Sequence, residues 1–354
     1  MSLRRPTLAD VAARAGVSVS TASLAFSDAG PIADETRARI RNAAEELAYS
    51  GPSPLGRSLR SGRSGIVGVV LGDELRRGFR DPVAIQVLDG LVRTVSDLGL
   101  GVLLIPSAMG EDQEETMSPL LESAAMDVAV LLWGAIDGDP TLHALRRRGV
   151  PVVCVEGPEI EGVPLISIDD RRGTAELVEY LVSLGHQRFA VVTLPYACGP
   201  HPHGDVLPTI EELEIVPTRH RYLGVLDAGV TPIAVVEAAA STVEEGQAAG
   251  RSLLQRAKRP TAIVAQSDLL GAGVVLAARE LGLRVPEDVS VVGFDGIELP
   301  WLAPDVLSTI SQPLEEKGVA VGHAVQQILD GVQPGSLMLP VTIRQGTTTG
   351  PPPA

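Results

Sequence analysis

Aromatic side chains are scarce in this sequence, at 3% of its 354 residues, and cysteine occurs only as Cys154 and Cys198. Two cysteines cannot build a disulfide framework, and such usage is typical of a reducing compartment. No apolar run approaches the roughly 18 residues of a membrane span. Arg4 and Arg5 are not followed by the apolar stretch of a secretory signal. We therefore expect a cytoplasmic protein with no membrane partner.

Positive charge is also in deficit, because the net charge is −15. The charge is unevenly distributed: residues 1–63 hold nine arginines and six acidic residues, whereas the remainder holds 20 basic and 38 acidic residues. A basic head on an acidic body is typical of a DNA-binding module joined to a domain that avoids DNA. The length and the hydrophobic content of 45% predict about two to three domains.

Signatures of catalysis are missing as well. The sequence has no Gly-x-Ser-x-Gly elbow, no Walker loop and no His-Glu-x-x-His motif, so we expect neither an enzyme nor a cofactor. The stretch "CGPHPHGD" brings together Cys198, His201, His203 and Asp205, which could bind a metal. Their spacing matches no known zinc site, and an ordinary surface loop is the alternative.

The N-terminal sequence has the pattern of three short helices. Thr7 and Asp10 form a capping-box pattern for the first helix, and Gly16 supplies a turn after it. Ser18 can cap a second helix that runs through Phe26, and a third helix spans residues 34–49. Two helices joined by a glycine turn and closed by a third match a helix-turn-helix module, and a plain helical hairpin, which shares part of this pattern, is the alternative. The expected inward side chains are Leu8, Val11, Ala12, Ala15, Ala22, Ala25, Phe26, Ile40, Ala43, Ala44 and Leu47.

A linker is indicated by the stretch "SGPSPLGRSLRSGRSG" at residues 50–65, which is rich in Ser, Gly and Arg. Residues 54–60 could form a short helix with proline at its first position. So short a helix is unstable alone and would form only against a partner such as DNA.

Beyond residue 65, nine short apolar runs alternate with amphipathic helices. Continuous apolar strands separated by helices indicate parallel sheets covered on both faces, and nine strands suggest two doubly wound subdomains. The runs are "IVGVVL" from residue 66, "GVLLI" from 101, "VAVLLW" from 128, "PVVCV" from 151, "LISI" from 165, "FAVV" from 189, "IAVV" from 233, "AIVA" from 262 and "VSVV" from 289.

Several polar side chains follow these strands, namely Asp73, Glu156, Ser267, Asp268 and Asp295. Ligands of such folds lie at the carboxyl ends of strands, in the crevice between subdomains. We therefore interpret these residues as candidates for binding a small effector. Capping a helix or bridging the subdomains is the alternative role for each of them.

Five segments together resemble the LacI/GalR family of bacterial transcription repressors: "TLADVAARAGVSVSTAS", "ETRARIRNAAEELAYS", "RSLRSGRSGIVGVV", "RVPEDVSVVGFDG" and "LSTISQP". The resemblance implies an α/β protein with an N-terminal three-helix helix-turn-helix domain at 1–50, a hinge at 51–64 and a periplasmic-binding-protein-like core at 65–350. The core would comprise two doubly wound parallel-sheet subdomains, one at 65–168 and 313–338 and the other at 169–312 and 339–350.

The function that the resemblance implies is sequence-specific transcriptional regulation, by repression, under the allosteric control of a small-molecule effector. The expected partners are double-stranded operator DNA, a sugar or other small metabolite, and a second copy of the chain. The ending "TTTGPPPA" has no heptad repeat, so we expect a homodimer without a tetramerising segment. The alternative is a solute-binding protein or ligand sensor with weak or degenerate DNA binding.

Site residues follow from the same resemblance. Val19 and Ser20 would face base edges, and Leu59 would wedge into the minor groove and bend the DNA. Arg221 and Asp295 match effector-contacting positions of the family, and Trp133 is a candidate either for stacking on the effector or for the subdomain interface. The full expected DNA-binding set is Thr7, Ser18, Val19, Ser20, Thr21, Ser23, Leu24, Ser27, Thr36, Arg37, Tyr49, Gly56, Arg57 and Leu59.

The second helix lacks the side chains that usually read bases, since residues 18–27 contain no Lys, Arg, Asn, Gln, Asp or Glu. Relatives typically carry an arginine where this chain has Leu24 and an asparagine where it has Ser27. Leucine cannot make the bidentate contact to guanine that arginine makes. We expect an operator that departs from the family consensus at that guanine, with more of the specificity coming from the linker and DNA shape.

Overall fold

The computed structural model describes residues 6–26, 32–51, 62–71, 78–106, 118–133, 140–197 and 207–353. The chain divides into two compact units, Met1–Gly65 and Ile66–Ala354. Several residues singled out in the sequence lie outside the described residues: Ser27, Gly56, Arg57, Leu59, Asp73, Cys198, His201, His203 and Asp205.

The first unit contains the three predicted helices, α1 (Leu8–Ala15), α2 (Val19–Leu24) and α3 (Asp34–Glu46). The capping box at the start of α1 is present, because the Thr7 side chain accepts from the Asp10 amide while the Asp10 side chain accepts from the Thr7 amide. Gly16 ends α1 in the left-handed conformation, with a φ of 66°. The buried side chains around which the helices pack are Val11, Ala12, Ala15, Ala22, Ala25, Ile40, Ala43 and Ala44.

Two of these helices are shorter than predicted. The second helix ends at Leu24 rather than Phe26, because the amides of Ala25 and Phe26 make tighter three-residue hydrogen bonds to Ala22 and Ser23. The third ends at Glu46 rather than at residue 49, because Ala48 adopts a positive φ of 52°. The next amide then bonds back to the Ala44 carbonyl at 2.8 Å, which closes the helix end.

The second unit is an alternating α/β structure. Its strands are β1 (Ile66–Leu71), β2 (Gly101–Pro106), β3 (Val128–Leu132), β4 (Val152–Val155), β5 (Leu165–Ile168), β6 (Phe189–Thr193), β7 (Ala234–Glu237), β8 (Ala262–Ala265), β9 (Ser290–Asp295), β10 (Ser308–Ser311), β11 (Leu337–Leu339) and β12 (Thr342–Arg344). Its helices are α4 (Pro82–Asp97), α5 (Pro119–Ser123), α6 (Pro140–Arg147), α7 (Asp170–Ser183), α8 (Val216–Asp227), α9 (Val243–Leu254), α10 (Asp268–Glu280) and α11 (Leu314–Leu329), with a short 3₁₀ turn at Pro300–Leu302.

Within the described residues, the strands form two sheets of six. The first has the order β11-β5-β4-β3-β1-β2, and the second has the order β12-β10-β9-β8-β6-β7. All pairings are parallel except that of β10 with β12. We call the first sheet with its helices the first subdomain and the second sheet with its helices the second subdomain. The chain passes between the two sheets after β5, after β10 and after β11.

The nine predicted strands are all present, and β10, β11 and β12 are additional. The missed strands are only three or four residues long: "STIS" is polar, "LML" is apolar but largely exposed at a sheet edge, and "TIR" ends in arginine. Their pairing depends on neighbours distant in the sequence, such as β5 for β11. Short pairing at a sheet edge leaves too weak a sequence pattern to be recognised.

Helices pack closely where glycines remove side chains. In the contact between α4 and α11, a Cβ on Gly90 would lie 2.1 Å from the Glu315 carbonyl oxygen, and one on Gly318 would lie 2.0 Å from the Val87 carbonyl oxygen. This close approach buries Leu91, Val95, Val321 and Val325 against the first sheet. No helix among the described residues is both long and apolar enough to cross a membrane.

Candidate functional site

In the N-terminal unit, a cluster of hydroxyl groups lies at the start of α2. The Ser18 Oγ accepts from the Thr21 amide at 3.1 Å and lies 2.8 Å from both the Ser20 Oγ and the Thr21 Oγ1. The serine caps the helix, which is why the segment becomes helical without any charged residue. The hydroxyls can also donate to or accept from phosphates and base edges.

Apolar groups accompany these hydroxyls on α2. Val19 is 50% exposed, Leu24 is half-buried, and Ala22 and Ala25 are buried inside the unit. The outward side of the helix therefore presents a valine methyl pair beside the Ser20 hydroxyl. Groups of this kind can contact the methyl of thymine but cannot form the fork-shaped hydrogen bonds that guanine accepts.

An open groove of about 510 Å³ runs between the end of α2 and α3. Phe26 and Tyr49 form one part of its lining, with their rings edge to face at 5.6 Å between centroids. Arg37 and Arg41 line it as well, so the groove has two guanidinium groups. Arg41 was not singled out from the sequence, because its position on α3 has no distinguishing pattern.

In the core, three strand ends carry a non-glycine residue with left-handed backbone. Trp133 after β3, Glu156 after β4 and Asp295 at the end of β9 have φ values of 55°, 53° and 125°. Such conformations are strained for residues with a side chain and concentrate at functional sites. The sequence predicted that Asp295 follows β9, whereas in the structure Asp295 is the last residue of that strand.

Arg221 on α8 is the centre of a buried ionic cluster. Its Nε donates to the Asp170 Oδ1 at 2.7 Å, and its Nη1 donates to the Gln266 carbonyl at 2.5 Å and lies 3.6 Å from the Asp295 Oδ1. The guanidinium also stacks on the Phe294 ring, 3.7 Å from the centroid. The arginine and the two carboxylates are all at least 95% buried.

This cluster continues towards the first subdomain. The Gln312 Nε2 donates to the Asp295 Oδ1 at 2.6 Å, and the Gln312 Oε1 accepts from the Lys317 Nζ at 2.7 Å. The same amine donates to the Glu156 carboxylate. A continuous chain of buried polar groups therefore links α7 and α8 of the second subdomain to β4 and α11 of the first.

Ser267 and Asp268 already have protein partners. The Ser267 Oγ caps α10 by accepting from the Leu270 amide, and it accepts from the Ser241 hydroxyl at 2.8 Å. Asp268 is fully buried and accepts from the amides of Gly296 and Ile297 at 2.8 Å each and from the Thr309 hydroxyl at 2.5 Å. These bonds fix the loop that follows Asp295.

Burial is the main cause of the raised pKa values of three carboxyl groups in the core. It raises the pKa of Asp295 well above the ordinary range, although Arg221 opposes the shift. It raises the pKa of Asp268 to about 7, against the hydrogen bonds from Thr309, Ile297 and Gly296. Burial also raises the pKa of Glu156, and the Lys317 amine opposes that rise.

Sequence reasoning had not singled out Asp170, Gln312 and Lys317, which complete the cluster. Asp170 follows β5 and could have been found by the rule applied to the other strand ends. Gln312 follows β10, which the sequence pattern did not reveal. Lys317 was detectable as a cation among the inward positions Leu314, Val321 and Val325 of an apolar helix face.

The described part of the core also places the remaining candidates. Trp133 is half-buried and packs against the hydrophobic core of the first subdomain, while its amide donates to the Val155 carbonyl at 3.1 Å. The buried His186 has its ring nitrogens within 3.0–3.1 Å of the Thr261 and Ser290 hydroxyls and within 2.9 Å of the Gly350 carbonyl.

Three family patterns match the chain. The pattern described as "Bacterial regulatory proteins, lacI family" matches residues 7–51, "Periplasmic binding proteins and sugar binding domain of LacI family" matches residues 65–200, and "Periplasmic binding protein-like domain" matches residues 178–349. The matches cover both compact units.

Full-length relatives agree with these patterns. An HTH-type transcriptional regulator of Mycolicibacterium smegmatis is 34% identical over 99% of this chain and 98% of its own length. The HTH-type transcriptional repressor CytR of Escherichia coli is 30% identical over 92% of this chain and 90% of its own. The structure of the lac repressor dimer bound to operator and an anti-inducer superposes with a TM-score of 0.77, at 23% identity, over 98% of this chain and all of that one.

Proposed function

The chain belongs to the LacI family of bacterial regulatory proteins, and from that premise we propose how this DNA-binding transcriptional regulator works. It represses transcription by binding an operator through residues 1–50, and a small effector in the crevice between the core subdomains sets its affinity for DNA. The observation that carries this proposal is the buried cluster of Arg221, Asp295 and Gln312 at strand ends of the second sheet, which Lys317 joins to Glu156 at a strand end of the first.

On the DNA side, we assign base contacts to Val19, Ser20 and Leu24 and phosphate contacts to the surrounding polar residues. The exposure of Val19 and the hydroxyl cluster at the start of α2 support this assignment. Phosphate contacts hold the register and base contacts specify the sequence. The phosphate-contacting set is Thr7, Ser18, Thr21, Ser23, Thr36, Arg37 and Tyr49, and Ser27, Gly56, Arg57 and Leu59 complete the DNA-binding set on the family resemblance.

On the effector side, we propose that Arg221 and Asp295 bind hydroxyl or ionic groups of a sugar or another small polar metabolite, with Trp133 packing on it. Asp268 supports the site by fixing the backbone that follows Asp295, and Ser267 supports it by capping α10, since the hydrogen bonds of both already go to protein groups. Glu156 acts from the opposite subdomain, and Asp73 is assigned on its position after β1.

For assembly, we propose a cytoplasmic homodimer without catalytic activity. The lac repressor, which shares this fold, is a dimer on its operator. Exposed apolar side chains on α4, Ile85 and Val92, offer a surface for a second copy of the chain. Two helix-turn-helix units in one particle suit an operator with two half-sites.

The test of this function is a fluorescence anisotropy titration of the full chain with DNA from its own promoter region, at several salt concentrations. We expect a sequence-specific complex that weakens steeply with salt, because arginines that bind phosphates release counterions from DNA. The matched variants are Val19→Ala, which should weaken the complex, and Val182→Ala, at an exposed valine of α7, which should not.

Failure to form a salt-sensitive, sequence-specific complex would overturn the proposed function. It would favour a ligand sensor with degenerate DNA binding. A thermal-shift screen of sugars, nucleosides and acids then identifies the effector class, because a ligand that binds only the folded state raises the unfolding temperature.

A further inference from the structure

Lysine is nearly absent from this chain, which has 27 arginines but only two lysines, Lys258 and Lys317. Lys258 is exposed, whereas Lys317 is 1% exposed and ranks among the largest fully buried side chains. A buried ammonium is unfavourable unless its charge and its hydrogen bonds are satisfied. The position of Lys317 is therefore one where an amine has a specific role.

The location of Lys317 in its helix carries a second penalty. It lies in the first turns of α11, where its amide bonds to the Pro313 carbonyl at 2.8 Å. Positive charge near a helix N-terminus is opposed by the helix dipole. Neighbouring inward residues, Leu314 and Val321, are apolar, so an apolar side chain at this position would fit the pattern of the helix.

The contacts of the amine show what offsets these penalties. Its hydrogen bond to the Gln312 Oε1 is 2.7 Å long, and it also donates to Glu156. Gln312 lies between β10 and α11, in the middle passage of the chain between the sheets, and its amide donates to the Asp295 carbonyl at 3.1 Å. Glu156 follows β4 of the first subdomain. The amine therefore links the middle passage, which leaves β10 of the second subdomain, to Glu156 of the first subdomain.

A compact ammonium suits this place better than a guanidinium. Lysine is a point charge with three donors, whereas the planar guanidinium requires room for its fork of five. The amine donates to both Glu156 and Gln312, and the side-chain NH₂ of Gln312 donates to Asp295. A ligand group that binds Asp295 would compete with Gln312 and would disturb the lysine through it.

We propose that Lys317 is a positioning residue that sets the arrangement of the two core subdomains when no effector is bound, by holding Gln312 against Glu156. It acts as an internal counter-ion in the crevice, and effector contact at Asp295 reaches the first subdomain through Gln312 and Lys317. The effect of Lys317 on DNA affinity rests on the proposed function. The claim that Lys317 holds Gln312 against Glu156 does not depend on that function.

The first experiment is reductive methylation of the full chain with formaldehyde and a borohydride reductant, followed by mass spectrometry of the two lysines. We expect Lys317 to react at least about tenfold more slowly than Lys258, because it reacts only after local opening. Gln312→Leu should accelerate the reaction of Lys317 and leave that of Lys258 unchanged. Equal rates for the two lysines in the unmodified chain would overturn the proposal.

The second experiment separates positioning from plain stabilisation, using Lys317→Met, Glu156→Gln and the double variant, with Lys258→Met as control. Each single change leaves one buried partner unpaired and should lower the unfolding temperature, whereas the double variant should recover it. We expect the double variant to differ from the unmodified chain by about fivefold or more in ligand-free affinity for promoter DNA.

A double variant with both normal stability and normal DNA affinity would overturn the proposal, because the pair would then only stabilise the fold. If the unmodified chain formed no complex with promoter DNA, the proposed function would fail instead. The methylation rates would then decide the role of Lys317 by themselves.

Discussion

At the scale of single residues, the surface of α2 that we propose to read bases is built from uncharged side chains. Ser18 caps the helix, and its hydroxyl contacts Ser20 and Thr21, so the hydroxyl groups hold one another in place. Small, fixed hydroxyl and methyl groups discriminate less between bases than a bidentate arginine does. The identity of the module follows from its helices, and its preferred sequence follows from these few side chains.

We predict that Leu24→Arg shifts the operator preference towards guanine at the base that this side chain faces. A bidentate arginine contact contributes about 1–3 kcal/mol of discrimination between bases. The measurement is a binding profile over a library of single-base operator variants. Leu337→Arg adds the same charge at an exposed site of the core and is the control. A profile that Leu24→Arg leaves unchanged would refute the role of Leu24.

We predict that Asp268→Asn flattens the pH dependence of stability. Its carboxyl pKa is raised from 3.8 to about 7 by burial, so the folded chain binds a proton that the unfolded chain releases. The stabilising contribution of Asp268 is therefore fully present below pH 3.8 and is lost as the pH rises from 3.8 through about 7, at up to about 1.4 kcal/mol per pH unit. Asparagine resembles the protonated acid and removes this contribution.

Urea unfolding from pH 5 to pH 8 measures the effect. Asp295 and Glu156 also have raised pKa values, so part of the slope should persist in Asp268→Asn. Asp227→Asn is the control, because Arg171 lowers the pKa of that exposed carboxyl and its contribution falls at more acidic pH. An identical slope in Asp268→Asn and in the unmodified chain would mean that Asp268 does not hold the extra proton.

At the scale of elements, the sequence predicted what local patterns determine. The first helix, its capping box and the nine apolar strands were all expected and are present. The ends of α2 and α3 and the strands β10 to β12 were not, since they depend on turn geometry and on pairing with distant neighbours. The same holds for the site: Arg221 and Asp295 were identified by resemblance, whereas Gln312 and Lys317 join them only through tertiary packing.

We predict that Gly318→Ala destabilises the core strongly, because its new Cβ would lie 2.0 Å from the Val87 carbonyl oxygen of α4. Backbone cannot move aside as a flexible side chain can, and overpacking of this kind costs about 1–3 kcal/mol or more. Gly335→Ala is the matched control, since a Cβ there meets no atom within 4 Å. Equal unfolding midpoints for the two variants would show that α4 and α11 do not pack this closely.

At the scale of the whole molecule, positive and negative charge are concentrated in different parts of the chain. The N-terminal 63 residues hold a third of the basic residues in the chain, and the rest is strongly acidic within a net charge of −15. An acidic core repels DNA and leaves binding to the small basic unit. A single unit of this size makes few phosphate contacts, so useful affinity requires two of them in one particle.

That requirement leads to our last prediction, that the chain sediments as a dimer of 37.0 kDa subunits and that Ile85→Glu converts it to monomers. Ile85 and Val92 lie seven residues apart on α4 and are 46% and 41% exposed, while the glycine face of the same helix packs on α11. A charge in the middle of a buried apolar interface is strongly unfavourable. Val182→Glu, on α7 of the second subdomain, is the control and should remain dimeric.

Sedimentation velocity measures the masses of the variants, and anisotropy on promoter DNA measures the effect on DNA binding. Monomers should lose most of their affinity for DNA, because each carries one helix-turn-helix unit. A stable tetramer, or an Ile85→Glu dimer with normal DNA binding, would place the interface on another surface.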